Sequence, residues 1–519
     1  MMPKMGRINI NFRRFSESTV SRYALSKVKE TPKVNEEKEP CLCLEERCLV
    51  KPQCGCPKIV VVGGGLAGLS AAERLCHCGL CDVTVLEATN RLGGQITSCW
   101  LGDSAVELGC GYVTGGMNIS NPLFSLALAL SEGEVDRIFK VLDPEPTLFL
   151  TSDGSPINDY EAEDLLFQHI IKEATYLSEK TSLLHFLTLR INQELLNYPE
   201  EDRYIAERVL FGMVNELKGS WGGDLNNVSA SMIGMSKNIP GPSVIVPAGL
   251  LSLLAPVISV VPFHRIFLEK EVVKIEWKGE LSRCDPRAQV YTSDFSCYDA
   301  DYVIVTLPLG VMKEKCTNLF HPPLPKNKLD AINVMGNGVR NKVFLEYAEP
   351  WWGGAGCSIR LGLSSNEIAE NGDWTRGIYK IMASSRSVME IGIVGNEALM
   401  LEQCSEEEIA LEVTRFFRRL LCDNTIPFPN HIIVGRWGTN SYCRGSTMYL
   451  TMNTTEDHLE EMKTSVPEDP VPVLFFAGDS TDSVYFNSVV GARLSGLREA
   501  EKILELTRKF NGPPRTTKQ

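Results

Sequence analysis

The 519-residue chain lacks an uncharged stretch fit to cross a membrane, an excess of positive charge in its body, and any internal repeat or long low-complexity region. The nearest thing to a span, Ile239–Phe263, has no charged side chain but is broken by Pro240, Pro242, Pro247, Pro256 and Pro262. Five prolines free too many backbone groups for a lipid-exposed helix, so no transmembrane segment is expected. The stretch reads instead as a loop, a short buried helix around Gly249–Ser259, and a strand. With 52 Lys+Arg against 65 Asp+Glu the formal charge is −13. That balance argues against nucleic acid and leaves cationic ligands or plain solubility.

Positive charge gathers at the start, where Met1–Glu30 holds seven Lys/Arg and two Asp/Glu, so the remainder sums to −18. This basic segment reads either as a disordered tail or as a mitochondrial transit peptide. No apolar signal-peptide core stands near it. The 17 cysteines, an odd number, cannot all pair. Both features point to a reducing compartment with mostly free thiols, and a cytoplasmic protein is expected. The ending Thr517-Lys518-Gln519 is not the Ser-Lys-Leu peroxisomal address. Cys41, Cys43, Cys48, Cys54 and Cys56 crowd one short stretch. Their spacing is not the paired C-x-x-C of a zinc finger and no His lies nearby, so a thiol-rich linker is expected and no metal site.

A content of 44% hydrophobic and 23% charged residues is that of a globular chain long enough for several domains. Past Pro57 its character changes. Lys58-Ile-Val-Val-Val62 reads as a buried parallel strand, Gly63-Gly-Gly-Leu66-Ala67-Gly68 as a turn, Leu69–Leu75 as a helix, and Asp82–Leu86 as a second strand ending at Glu87. Each part suits a dinucleotide. Gly63 permits the tight turn, Gly65 lets the backbone approach the pyrophosphate, and Gly68 lets the helix pack on the strand. Leu66 and Ala67 open a helix whose free N–H groups face the phosphates. Glu87, 19 residues beyond Gly68, can accept from ribose hydroxyls.

Arg91-Leu-Gly93-Gly94-Gln95 follows, and here the sequence resembles a family. Glu-x-x-x-Arg-x-Gly-Gly-Arg after such a unit marks the flavin-containing amine oxidases, although Gln95 replaces the usual final Arg. The resemblance continues through Val106–Gly115, Thr306–Lys313, Phe320–Pro325, Asn341–Tyr347 with Pro350-Trp-Trp352, Arg436-Trp437, Arg444–Ser446 and Phe476–Thr481, to Gly491-Ala492 and Leu494–Gly496. It narrows toward the polyamine oxidase branch.

The resemblance implies roles for particular residues. Lys342 matches the lysine that holds a water near the reactive flavin nitrogen and assists reoxidation by oxygen. Asp479 stands where a Glu usually meets the ribityl chain, one methylene shorter. The backbone of the strand Val272–Trp277, at Val273, is expected to contact the adenine, and Val489 to belong to the cofactor-binding set. Tyr112 and Tyr449 fall where aromatic rings cage the amine. Thr447, four residues beyond Cys443, replaces the cysteine of covalent attachment, so noncovalent FAD is expected.

Two departures bear on substrate. Thr114 replaces a His that contacts the amine, and a lost partner of that kind costs roughly 1–3 kcal/mol. Arg340, two residues before Lys342, shares its strand face. A cationic nitrogen about 5 Å from its guanidinium loses roughly 3 kcal/mol at an effective dielectric near 20, about a hundredfold in affinity. Alternatively Arg340 turns outward or pairs with Glu346.

The expected fold is α/β: a doubly wound, Rossmann-like FAD-binding domain from residues 57–115, 244–309 and 471–510, interleaved with an α+β substrate-binding domain from 116–243 and 310–470. Residues 1–56 and 511–519 are tails. Helices are expected in Tyr160–Asn197 and Ser405–Cys422. Three functions stay open: an FAD oxidase taking a polyamine or acetylated polyamine and oxygen to aldehyde, amine and hydrogen peroxide; the same chemistry on another amine; or a catalytically quiet flavin-binding paralogue acting through protein contacts. A monomer with small-molecule partners is expected.

Overall fold

The computed structural model describes residues 57–511 apart from 103, 132, 143–146, 279–285, 353–355, 370–371 and 469–470. The basic start, the Cys41–Cys56 segment and residues 512–519 lie outside the described residues. Among the described cysteines ten are free thiols and Cys81 is disulfide-bonded, in line with mostly free thiols. No cluster of His, Cys, Asp and Glu able to hold a metal occurs among the described residues. None of their helices is long and apolar enough to cross a membrane.

The fold is mixed α/β, and the two largest sheets among the described residues frame it. The first has five parallel strands in the order Leu474–Phe476, Tyr302–Val305, Ile59–Val62, Val83–Leu86 and Ile266–Phe267. Its four longer strands are buried along their length because they are apolar on both faces, as a sheet covered on both sides requires. The glycine turn delivers the chain into the helix Leu66–His77, against which the long helix Val489–Asn511 packs. Backbones touch where side chains would block them: a Cβ on Gly68 would lie 2.1 Å from the Gly63 carbonyl oxygen, and one on Gly496 2.1 Å from that of Ala67.

The second sheet has seven strands in the order His431–Val434, Arg340–Glu346, Val388–Val394, Ile378–Ala383, Ser358–Gly362, Thr147–Thr151 and Pro156–Ile157. The helix Glu200–Trp221 lies against Ile378–Ala383 and Ser358–Gly362. The helix Glu406–Leu420, begun by a capping box of Ser405 and Glu408, buries Ile409, Val413 and Phe417 in a core shared with Val343, Leu345 and Ile391.

The expected helix around Gly249–Ser259 is a 3₁₀ turn at Leu250–Leu254 running into the helix Ala255–Val260. The strand after it is only Ile266–Phe267. Tyr160–Asn197 divides into Glu161–Ala174 and Leu183–Leu195, because Ser182 accepts the His185 N–H and starts a new helix.

Candidate active site

A long cavity begins at the glycine turn and ends beside the strand Arg340–Glu346. Gly63, Gly65, Leu66, Ala67, Glu87, Arg91, Gly93, Gly94, Gln95, Asp479 and Val489 line it, and so do Arg340 and Lys342. Gly68 stays behind the turn, packed on the strand. Of the strand Val272–Trp277, Val272 lines the cavity, while Val273, next along the pleat, turns its side chain to solvent and could offer only its backbone there.

The two glycine pairs meet at this end. Gly93 donates its N–H to the Gly64 carbonyl at 2.9 Å, and a Cβ on Gly94 would lie 3.2 Å from Gly65 Cα. Gly93 and Gly94 adopt φ of +109° and +58°, which only glycine takes readily. Arg91 grips the turn from outside by donating to the Gly94 carbonyl at 3.0 Å. Glu87 accepts the Gly64 N–H at 2.7 Å and the Thr89 N–H at 2.9 Å, fixing its carboxylate at the strand end. Gly65 caps the helix from an extended conformation, so no side chain covers the first N–H groups. A Cβ on Gly65 would meet nothing nearer than 3.9 Å, so open space lies in front of those donors.

These residues fit a dinucleotide: uncapped donors facing space, a fixed acid 19 residues after Gly68, and further along the cavity a half-buried carboxylate. That carboxylate is Asp479. Burial pushes it up to about 6, against the N–H groups of Ser480 and its own residue, and a ligand hydroxyl would be a suitable partner.

At the far end Lys342 donates from Nζ to the Glu107 carbonyl at 2.9 Å, with Glu390 Oε1 at 3.8 Å. A Cβ on Gly111 would lie 2.9 Å from that Nζ, so glycine leaves the ammonium its place. Asn341, on the opposite face of the strand, donates to Glu402 at 2.7 Å and accepts the Trp437 N–H at 3.1 Å. The pleat then obliges Arg340 and Lys342 to face the cavity together. Arg340 donates from Nη1 to the Gly219 carbonyl at 3.1 Å and does not pair with Glu346. The inward orientation is the observed one.

Burial lowers the Lys342 pKa and the neighbouring cations Lys380 and Arg340 lower it further, while Glu390 opposes them. Glu390 is itself buried, which would raise its pKa; Lys380 at 3.1 Å and Lys342 overcome that and hold it at about 2. Burial pushes the Glu107 carboxyl up to about 7 although the Leu250 N–H and Ser98 bind it. Burial likewise raises the Cys110 thiol, which lines the cavity.

Tyr112, Thr114 and Tyr449 stand outside the cavity lining. Tyr112 is exposed. Thr114 is half-buried in the turn after it, and its carbonyl accepts from Asn121. The Tyr449 ring packs where side chains on Gly223 and Gly336 would otherwise sit, on a strand paired with Gly336–Gly338. Sequence reasoning missed Glu390, Lys380 and Tyr379. The isolated acid inside Val388-Met-Glu-Ile-Gly-Ile-Val394 was the available signal, since a lone carboxylate in a buried strand needs a cation.

The family model for flavin containing amine oxidoreductase matches residues 66–504, and the chain belongs to that family. It is 29% identical over 489 residues to the human peroxisomal N(1)-acetyl-spermine/spermidine oxidase, covering 87% of this chain and 96% of the relative. It is 31% identical over 481 residues to protein anon-37Cs of Drosophila simulans, covering 86% and 91%. To probable polyamine oxidase 5 of Arabidopsis thaliana it is 25% identical over 528 residues, covering 86% and 98%. The cofactor is FAD, held noncovalently.

Proposed function

We propose that the protein is an FAD-dependent amine oxidase acting on a secondary amine. The five-stranded parallel sheet is read as the centre of a doubly wound FAD domain drawn from residues 57–115, 244–309 and 471–510. Residues 116–243 and 310–470 are assigned to the substrate domain. Bound FAD would take two electrons and a proton from the C–N unit and pass them to oxygen. In balance, R–CH2–NH–R′ and O2 give R–CH=N–R′ and hydrogen peroxide, and water then splits the imine into aldehyde and amine.

The observation that carries this reading is the buried Lys342 at the end of the cavity that begins at the Gly63–Gly68 turn. Its ammonium, fixed by the Glu107 carbonyl, can hold a water or hand over a proton there. The relatives' names favour a polyamine or acetylated polyamine. Arg340, turned into the same cavity, favours the second reading, the same chemistry on an amine with less positive charge.

The test is the visible spectrum of the purified protein, followed without oxygen on adding spermine, spermidine and acetylspermine. A yellow protein bleached by one of them supports polyamine oxidation. One that only other amines bleach supports the second reading. A yellow protein that no amine bleaches would leave only the quiet paralogue.

A further inference from the structure

We infer that Arg340 anchors a carboxylate on the substrate, so that the amine oxidised beside Lys342 carries an anionic tail. This rests on the amine oxidase reading and names its substrate class.

The charges at this end of the cavity do not cancel. Arg340, Lys342 and Lys380 meet one firmly ionised acid, Glu390, which Lys342 and Lys380 share at 3.8 and 3.1 Å. Glu107 bonds Lys342 through its backbone carbonyl, its carboxyl being turned to Ser98 and the Leu250 N–H. No ion pair involves Arg340 among the described residues. One of its five N–H donors is spent on the Gly219 carbonyl at 3.1 Å. A guanidinium fork that lines a cavity without a carboxylate of its own is matched in shape and charge to one that arrives with a ligand. Four of its donors are therefore left for the two oxygens of a ligand carboxylate.

Spacing sets the length of the ligand. Arg340 and Lys342 lie two residues apart on one strand face, about 7 Å along it. An amine whose reacting carbon lies near Lys342 would place a carboxylate at Arg340 through a short aliphatic chain. A polyamine would put a second ammonium there, against the guanidinium.

The test uses the FAD-loaded full chain. Hexanoate, which has no amine to oxidise, is titrated by flavin difference spectrum and by calorimetry into the wild type, Arg340→Lys and Arg340→Met. Reduction without oxygen is then compared for N-methyl-6-aminohexanoate, its methyl ester and spermine. Hexanoate binding is expected to weaken about tenfold or more in Arg340→Met and less in Arg340→Lys, and the acid is expected to outperform its ester by about the same factor. Equal performance of acid and ester, faster reduction by spermine, or hexanoate binding indifferent to Arg340→Met would overturn the inference. If Arg340→Met does not retain flavin, the comparison of acid with ester in the wild type decides. If no amine reduces the flavin, the amine oxidase reading falls. Hexanoate bound through Arg340 would still uphold the anion site in that case, and hexanoate not bound at all would remove it.

Discussion

Glu390 Oε1 lies 3.8 Å from Lys342 Nζ, although the two residues come from neighbouring antiparallel strands and neither is more than 8% exposed. Gly392 stands directly opposite Lys342 on one side and Lys380 on the other. Glu390, two residues away on the same face, therefore reaches both ammonium groups diagonally.

Glu390→Gln removes the one carboxylate, among the described residues, that pairs with both lysines. Breaking a buried pair by deleting one partner costs about 3–5 kcal/mol, to be measured by denaturant unfolding at pH 7. The Glu390 pKa is depressed in the folded protein, so its contribution is fully present above the ordinary 4.5 and is lost as pH falls through about 2. The mutant should also release the Lys342 proton at lower pH, moving the alkaline limb of the flavin reoxidation profile downward. A profile that did not move would show that Glu390 does not govern Lys342.

Lys342→Met should leave the flavin spectrum unchanged and slow reoxidation by oxygen about a hundredfold or more, the scale of a lost acid–base group. Stopped-flow mixing of the reduced protein with oxygen measures this. Reoxidation at the wild-type rate would remove Lys342 from the chemistry.

Asp479→Asn tests the half-buried carboxylate of the cavity wall. Its folded pKa is raised from 3.8 to about 6, so in FAD-free protein this group's contribution to stability declines as pH rises from 3.8 to 6 and stays low above. Asn abolishes that decline, stabilising the apoprotein at pH 7.5 by up to about 3 kcal/mol while weakening FAD retention. Thermal unfolding against pH checks the first part and the absorbance ratio at 450 and 280 nm the second.

Two glycine substitutions should separate folding from cofactor binding. Gly68→Ala drives a Cβ to 2.1 Å from the Gly63 carbonyl oxygen, and overpacking of this kind costs about 1–3 kcal/mol. Gly65→Ala meets nothing within 3.9 Å and should leave apoprotein stability almost unchanged, yet lose flavin. Equal loss of stability in both would refute the cradle.

Thr114→His combined with Arg340→Met should raise kcat/KM for spermine, with removal of the guanidinium contributing about a hundredfold. Steady-state peroxide release measures it, and an unchanged value would show that neither residue limits polyamine turnover.

Much of the cofactor end was legible because its parts are local. Strand, glycine turn, helix, strand and acid fall within Lys58–Glu87, and sequence spacing alone puts them in register. Lys342 was legible only through family resemblance; in Asn-Lys-Val-Phe-Leu-Glu it looks like any exposed strand lysine. The expected outlet for Arg340, pairing with Glu346, failed because Glu346 lies at the other end of the same strand. Tyr449 illustrates the opposite difficulty: its position in the motif order suggests a cage wall, while its ring fills the space left by Gly223 and Gly336.

The sequence by itself determined the dinucleotide turn, the proline-broken loop in place of a membrane span, and the pleat that puts Arg340 and Lys342 on one face. These depend on residues close together in the chain, where φ restrictions, missing side chains and strand alternation act directly. Only the tertiary structure decided which carboxylates meet which cations. Glu390 and Lys380 reach Lys342 through the register of three strands, and burial then makes each missing partner costly. The charge left over at Arg340 is a sum over that assembled sheet, and no stretch of sequence contains it.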